Sequence, residues 1–245
     1  MHPTPPSLPN YGYVLECDDA PVGVILLISS VICEGNTYAT RCNLSSLYVE
    51  PRYASYAALL TSRAIKHKNV TYLNISPAVE LLPFVEAQGF SRYSSGQFVA
   101  LPISNLRPRG AQVSIIRANT LPDVHFESFE ADLLRDHAEY GCISLWCTTS
   151  ERAHPFVFVP RIVKGVIPCA QLVYCQDIED FVRFVQPLGW FLALRGRPLI
   201  LVDSTGPIRG VVGKYFEGVA PKYFKGSHRP RLGDLAYTEA AMFGL

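Results

Sequence analysis

The spacing of apolar residues over the first hundred positions alternates between two periods. Alternating or continuous apolar runs, such as 22–33, are typical of strands, whereas positions 52–68 carry apolar residues three to four apart, which is typical of a helix. The turn residues 34–36 join two long strand-like runs and so predict an antiparallel hairpin. The predicted elements, in chain order, are strands over 11–17, 22–33, 37–49 and 70–75, helices over 52–68 and 76–88 and a strand over 90–101.

The second half of the chain follows a similar order of elements, without a repeat at the level of residues. A polar stretch over 104–110 contains Pro and Gly and separates the halves, which predicts two domains, 1–105 and 106–245. Pro187 is expected to kink or split the long helix of the second half. The elements predicted here are strand 113–117, helix 127–140, strands 142–147, 155–160 and 166–175, helix 178–194, strand 199–203, a basic loop over 206–233 and a closing strand over 235–243.

Composition places the chain among folded proteins. Of its 245 residues 49% are hydrophobic, and the net charge is +1, so neither disorder nor a broad electrostatic interaction with nucleic acid is expected. The longest apolar run, 21–33, is shorter than the roughly 20 residues that span a bilayer. The N-terminal segment lacks the basic and apolar regions of a signal peptide. We therefore expect a cytoplasmic protein without a membrane partner.

The seven cysteines agree with a reducing compartment. None forms a C-x-x-C pair, and no His stands beside them at the spacing of a zinc finger, so no metal site is expected. Most of them lie inside apolar runs, where a free cysteine behaves as a small buried hydrophobic residue.

Residues 47–57 combine a strand end with the start of a helix. They read Leu-Tyr-Val-Glu-Pro and then Arg-Tyr-Ala-Ser-Tyr-Ala, and they are followed by the strand 70–75 and a helix that ends at Gly89-Phe90. A loop that leads from a strand into a helix directs several backbone N–H groups at one point, which suits a pyrophosphate. Small residues in such a loop allow the anion to come close to the backbone.

This arrangement resembles the acetyl-CoA-binding half of the GCN5-related N-acetyltransferases, the GNAT superfamily, over about residues 11–101. The resemblance implies an acyl-CoA-dependent N-acyltransferase. It would transfer an acyl group from acetyl-CoA or another acyl-CoA to an amine on a small molecule or protein. The residues that it assigns to the cofactor are Leu47, Tyr48 and Val49 along the pantetheine arm, and Arg52, Ser55, Tyr56 and Ala57 at the pyrophosphate.

The cofactor loop departs from the family pattern in two ways. It contains no glycine, and Arg52 comes two residues sooner after the strand than in the family. A non-catalytic GNAT-like binding or scaffold protein, in which the CoA site has decayed, is therefore the alternative to an enzyme.

The catalytic positions depart from the pattern as well. Val85 stands at the place of the family's Tyr, commonly a general acid, and Ala78 stands near the place of its Asn. The strand before Val49 has no acidic residue where a general base is usual, since Asn43 and Ser45 are there instead. The catalytic residues are therefore unassigned, and the candidates for the general acid are the two tyrosines Tyr48 and Tyr93.

The second half resembles a further, degenerate GNAT-like domain. Its strand-to-helix junction, 175–180, carries three acidic residues and no glycine, and three carboxylates would repel a pyrophosphate. The predicted fold is therefore α/β (α+β). It has two GNAT-like domains, each a mixed, mostly antiparallel sheet flanked by helices, with the first shortened at its N-terminus.

The stretch 206–231 interleaves basic and aromatic residues. Aromatic side chains among cations can stack on bases, so a nucleic-acid-associated module is a third possibility. The low net charge of the chain argues against nucleic acid as a partner. A solvated loop with its aromatic side chains docked on the core is the simpler interpretation.

Overall fold

A computed structural model describes residues 8–34, 37–104, 112–115, 128–149 and 152–244. By its internal contacts the chain divides into two compact units, each built from separate stretches of sequence. The first unit comprises 1–93, 220–230 and 237–239, and the second comprises 94–219, 231–236 and 240–245. The expected domain boundary at 105 falls outside the described residues, so the division into 1–105 and 106–245 stays a prediction.

The described residues form mostly strands. The strands are β1 (Gly12–Cys17), β2 (Ala20–Glu34), β3 (Thr37–Val49), β4 (Val70–Asn74), β5 (Ser91–Ala100), β6 (Gln112–Ile115), β7 (Ile143–Thr148), β8 (Ala153–Val163), β9 (Ile167–Cys175), β10 (Leu199–Ser204) and β11 (Gly213–Lys225). The α-helices are α1 (Ala57–Ala64), α2 (Leu82–Ala87), α3 (Ser128–Glu139), α4 (Ile178–Ala193) and α5 (Glu239–Phe243). Short 3-10 helices cover Pro51–Tyr56, Val79–Leu81 and Pro102–Ser104.

The sheet of the first unit has the strand order β1-β2-β3-β4-β11, of which β11 contributes residues 220–225. β1, β2 and β3 pair antiparallel, β3 and β4 pair parallel, and β4 pairs antiparallel with β11. Every second side chain of β2 and β3 points to the same face of the sheet, and on one face these side chains are apolar. Ile25 and Leu44 lie on this face and join the core that includes Leu60 of α1 and Val85 of α2.

The second unit contains a second sheet core. β5 pairs antiparallel with β10, β10 pairs parallel with β9, and β9, β8, β7 and β6 continue antiparallel. α4 begins at Asp177, whose side chain accepts a hydrogen bond from the Glu179 backbone N–H at 3.0 Å. Phe181, Phe184 and Leu188 place the apolar side of α4 in the core of this unit.

The structure confirms a mixed sheet flanked by helices. α4 is continuous through Pro187, so the expected split does not occur. Two further local expectations are wrong. The expected loop over 206–233 contains β11, and the expected closing strand over 235–243 contains α5. In the last two cases the pairing of β11 with β4 and the burial of residues 235–241 override a local pattern of Gly, Pro and charge.

Candidate functional site

β3 and β4 pair over only a few residues and then separate. Their parallel pairing extends from Thr40 opposite Val70 to Asn43 opposite Leu73. β4 ends at Asn74, whereas β3 continues to Val49. In the described part of the chain, no strand pairs with this edge of β3 beyond Asn43. The backbone N–H and C=O groups of residues 44–49 that point away from β2 are therefore left to other partners.

A β-bulge lies at the point where the two strands separate. Leu27 of β2 is opposite Leu44, but Leu26 is opposite Ser46, so Ser45 is an extra residue on β3. A bulge of this kind bends its strand, increases the local twist and changes the direction of the following side chains. The bulge thus lies just beyond the last residue of β3 that pairs with β4.

The gap between the two strands opens into a cavity of about 180 Å³. The bulged part of β3 and the segment after β4 both line the cavity, and α2 adds apolar side chains to the lining. The lining residues are Ile25, Leu44, Ser45, Ser46, Leu47, Thr61, Asn74, Ser76, Pro77, Ala78, Leu81, Phe84, Val85, Gln88 and Phe90. The cavity therefore places an apolar floor beside an unpaired strand edge, and an extended amide-containing chain can add to such an edge through its backbone hydrogen bonds.

A buried carboxylate lies directly behind one wall of the cavity. The Ser76 hydroxyl donates a hydrogen bond to Glu239 Oε1 with an O–O distance of 2.5 Å. Glu239 has no exposed surface, and its Oε2 has no hydrogen-bond partner among the described residues. Sequence reasoning missed this pair, since 163 residues separate its members and the surrounding sequence predicts a strand. The only sign of this pair in the sequence is that Glu239 is an acidic residue within the largely apolar segment 235–243.

Several solved structures have a fold similar to that of this chain at low sequence identity. A GCN5-related N-acetyltransferase from Anabaena variabilis ATCC 29413 matches with a TM-score of 0.52 and 9% identity, over 86% of this chain and 61% of that chain. A conserved protein of unknown function from Enterococcus faecalis V583, a probable N-acyltransferase, matches with a TM-score of 0.51 and 10% identity, over 90% and 61%. Eis1 from Mycobacterium abscessus matches with a TM-score of 0.50 and 11% identity, over 91% and 64%.

The chain has a GNAT-like fold. It spans less than two thirds of the length of these three structures. No protein-family profile matches the sequence, and no curated protein sequence matches it either. The likeness is therefore one of fold, and the chemistry of the site depends on the residues of this chain.

The residues assigned to the pantetheine arm lie on the part of β3 that extends beyond its pairing with β4. Leu47 lines the cavity. Val49 packs against the core of the unit, and Tyr48 is exposed over 60% of its surface. The side chains of residues 44–49 alternate between the two faces of the sheet, and their backbone groups alternate between the two edges of β3. Only every second residue therefore offers its backbone N–H and C=O groups to the edge that faces away from β2. The role of the three residues in holding pantetheine stays a prediction.

The residues assigned to the pyrophosphate form the 3-10 helix Pro51–Tyr56 and the start of α1. Arg52 is exposed, its Nε lies 3.0 Å from Glu50 Oε2, and its guanidinium lies 4.8 Å from the centre of the Tyr53 ring. The Tyr53 N–H donates to the Glu50 carbonyl, and the Ala57 N–H donates to the Ala54 carbonyl. These two N–H groups already have partners inside the loop. Ser55 and Tyr56 are exposed, Ala57 is half-buried, and the assignment of all four to a pyrophosphate stays a prediction.

The two positions that lack the family's polar side chains both face the cavity. Val85 and Ala78 are lining residues, so neither a phenol nor an amide comes from them. Neither candidate general acid lines the cavity. Tyr48 is exposed, and Tyr93 is buried with its ring edge-on to Phe224 at 6.1 Å. Asn43 is buried beside the cavity, whereas Ser45 lines it.

Among the described cysteines, Cys17 and Cys142 are partly exposed free thiols, and four are buried free thiols, namely Cys42, Cys147, Cys169 and Cys175. Burial raises the pKa of Cys42 to about 11, despite a hydrogen bond with Ser29 that lowers it. Burial likewise raises the pKa of Cys142 to about 11 and raises the pKa values of Cys147 and Cys175. A thiol held protonated in this way is a poor nucleophile. No group of His, Cys, Asp and Glu suited to a metal ion occurs among the described residues.

The basic stretch 206–231 uses part of its charge inside the first unit. Lys222 is buried, and its Nζ donates to the Ile75 carbonyl at 3.0 Å. The Lys225 Nζ donates to the Gln88 carbonyl at 2.7 Å. Because both ammonium groups bind backbone carbonyls of the protein itself, they are less available to the phosphates of a nucleic acid. Within the described ranges, no helix is long and apolar enough to cross a membrane.

Proposed function

We propose that the first unit binds an acyl-CoA and transfers its acyl group to an amine, carried by a small molecule or a protein. The observation that supports this most directly is the separation of β3 from β4 beyond Asn43 and Leu73, with a cavity in the gap. The unpaired backbone of residues 44–47 suits the two amides of a pantetheine arm. The apolar lining suits a short acyl group. An acyl-CoA entering here takes the position of a missing strand.

The bound acyl-CoA would supply a thioester carbonyl as the electrophile. The cavity would hold this carbonyl and the amine in one orientation, which lowers the entropic cost of their reaction. Backbone N–H groups of residues 44–47 would donate to the carbonyl oxygen as negative charge develops on it. The apolar residues Phe84 and Val85 of α2 would exclude water from the thioester.

Binding of acetyl-CoA is the first test. A ligand that binds only the native state stabilises it by about 2.7 kcal/mol at a concentration of 100 times its Kd. We expect millimolar acetyl-CoA to raise the thermal unfolding midpoint of the full chain. An Ala78→Phe variant places a large side chain in the cavity and should remove this increase. An Ala87→Phe variant is the matched control, because Ala87 is an exposed residue of α2 that does not line the cavity. An unchanged midpoint in the wild type would rule out the proposal.

A non-catalytic GNAT-like module is the second candidate. The observation in its favour is that the Tyr53 and Ala57 N–H groups and the Arg52 side chain already have partners within 50–57. Because those two N–H groups are already bound within the loop, they would add little to the binding of a pyrophosphate. In that case acetyl-CoA and S-acetyl-pantetheine, which lacks the nucleotide, should bind equally well, and no acyl transfer should follow binding. Tighter binding of acetyl-CoA together with transfer to an amine favours the enzyme.

A further inference from the structure

The cavity wall has no titratable side chain of its own. The fifteen lining residues include no Asp, Glu, His, Cys, Tyr or Lys. An amine that attacks a thioester has to lose a proton, and the wall offers no group that can take one directly. Any acceptor must therefore be reached through a polar lining residue.

Ser76 is the lining residue whose side chain leads to a carboxylate. It lies two residues beyond the end of β4, where the gap between β3 and β4 widens. Its hydroxyl donates to Glu239 Oε1 at 2.5 Å. Among the other polar lining residues, Thr61 donates to the Ala57 carbonyl, and the Gln88 amide accepts from Ser62. Neither of those hydrogen bonds reaches an acid.

Packing alone does not explain why the Glu239 side chain is buried. It is fully buried, and its Oε2 has no hydrogen-bond partner in the described part of the chain. Burying a carboxylate costs free energy unless its oxygens are paired, so an incompletely paired acid in a native structure calls for a reason. The buried Lys222 donates to the carbonyl of Ile75, the residue before Ser76, and brings a positive charge to the same backbone segment.

We propose that Ser76 and Glu239 together accept the proton of the acceptor amine. The inference rests on the proposed function of the first unit and goes beyond it by naming the residues. Ser76 contacts the amine through its Oγ, and Glu239 acts through Ser76. Both residues belong to the first unit.

The proposed reaction forms one carbon–nitrogen bond and breaks one carbon–sulfur bond. The amine nitrogen forms a bond to the thioester carbonyl carbon, and the carbon–sulfur bond breaks with its electron pair on sulfur. The proton of the nitrogen passes to Ser76 Oγ while the proton of that hydroxyl passes to Glu239 Oε1. The CoA thiolate then takes a proton from solvent, and Glu239 returns its own to solvent. The products are the amide and the CoA thiol.

The test uses the full chain, acetyl-CoA and two probe amines. n-Propylamine is largely protonated at neutral pH, whereas 2,2,2-trifluoroethylamine is largely uncharged. The variants are Glu239→Gln, which keeps the size of the buried side chain, and Ser76→Ala and Ser76→Thr, which remove and keep a hydroxyl at an exposed position. The matched controls are Glu16→Gln and Ser91→Ala, at exposed residues of the same unit. The readouts are acetyl-CoA affinity, kcat and KM.

We expect Glu239→Gln and Ser76→Ala to lower kcat by about 100- to 10,000-fold, the range typical of general acid–base groups. Acetyl-CoA affinity should stay within about twofold, since neither change alters the strand edge that holds pantetheine. Ser76→Thr should recover most of the rate. The loss should be smaller with trifluoroethylamine, because that amine needs less help to lose a proton.

Two kinds of failure are distinguishable. A wild-type chain that does not bind acetyl-CoA overturns the proposed function and this inference with it. A wild-type chain that binds acetyl-CoA but acylates neither amine also overturns both, and favours the non-catalytic module. When the wild-type chain does acylate an amine, full activity in Ser76→Ala, or a Ser76→Thr variant as slow as Ser76→Ala, overturns the inference alone. If Glu239→Gln fails to fold, the two Ser76 variants decide the question.

Discussion

Arg52 is the single side chain that bears most directly on how a nucleotide could be held. Its guanidinium is paired with Glu50 and lies over the Tyr53 ring, and its side chain is 69% exposed. An exposed ion pair contributes little to stability, because water and salt screen it. Arg52 is therefore free to exchange Glu50 for a phosphate at small cost.

We predict that Arg52→Glu weakens acetyl-CoA binding by about tenfold or more, since it removes one charge-assisted hydrogen bond worth roughly 1.5–3 kcal/mol and adds a repulsion. Binding of S-acetyl-pantetheine should not change, because that ligand has no pyrophosphate. Isothermal titration calorimetry measures both. Arg63→Glu is the matched charge reversal at another exposed arginine of the first unit. An equal loss in both variants would mean that net charge, and not the loop, is responsible.

At the scale of elements, one feature of backbone packing in each unit has a consequence that can be tested. In the first unit the Ser45 bulge lies where the pairing of β3 with β4 ends, and Ser45 lines the cavity there. In the second unit α4 comes close to the 3-10 helix Pro102–Ser104 at Gly189. A Cβ on Gly189 would lie 2.1 Å from the Cβ of Pro102, a distance at which one of the two must move.

We predict that Gly189→Ala destabilises the chain by about 1–3 kcal/mol through overpacking. This effect should exceed the gain in helix propensity from Gly to Ala, which is about 1 kcal/mol at most. Gly206→Ala is the control, because no heavy atom lies within 4 Å of a Cβ built there. Urea unfolding of the three proteins measures the difference. Equal midpoints for both variants would show that Pro102 moves aside without cost.

At the scale of the whole molecule, the first unit depends on residues from the end of the chain. Segments 220–230 and 237–239 belong to it. Tyr223 is fully buried in its core, and its hydroxyl accepts from the Arg92 Nε and donates to Glu86, both at 3.1 Å. Residues 223–225 also pair with β4.

We therefore predict that the fragment 1–105 does not fold cooperatively by itself. It would expose the edge of β4 and lose the core contacts of Tyr223, and its thermal melting should show no single transition and no response to acetyl-CoA. Co-expression with 106–245 should restore both. A cooperative transition of 1–105 alone, shifted by acetyl-CoA, would show that the C-terminal segments are dispensable.

Much of the fold follows from local pattern. The long hairpin of β2 and β3, the strand β4, and the helix α4 lie close to their expected positions, because each has a strong apolar period and clear turn or capping residues. The two misjudged segments, 213–225 and 239–243, have weak periods and are decided by long-range pairing. Of the residues that line the cavity, Leu47 could be predicted from the strand-end motif. Ser76 could not, because its partner Glu239 is 163 positions away.

The sequence by itself determined the GNAT-like order of strands and helices and the position of the strand end at 47–51 that carries the candidate cofactor contacts. These features depend on residues close together in the chain. Only the tertiary structure decided where β3 and β4 separate, which side chains line the gap, and that Glu239 lies behind Ser76. A hydrogen bond between residues 163 positions apart leaves no local period in the sequence, so it appears only once the chain has folded.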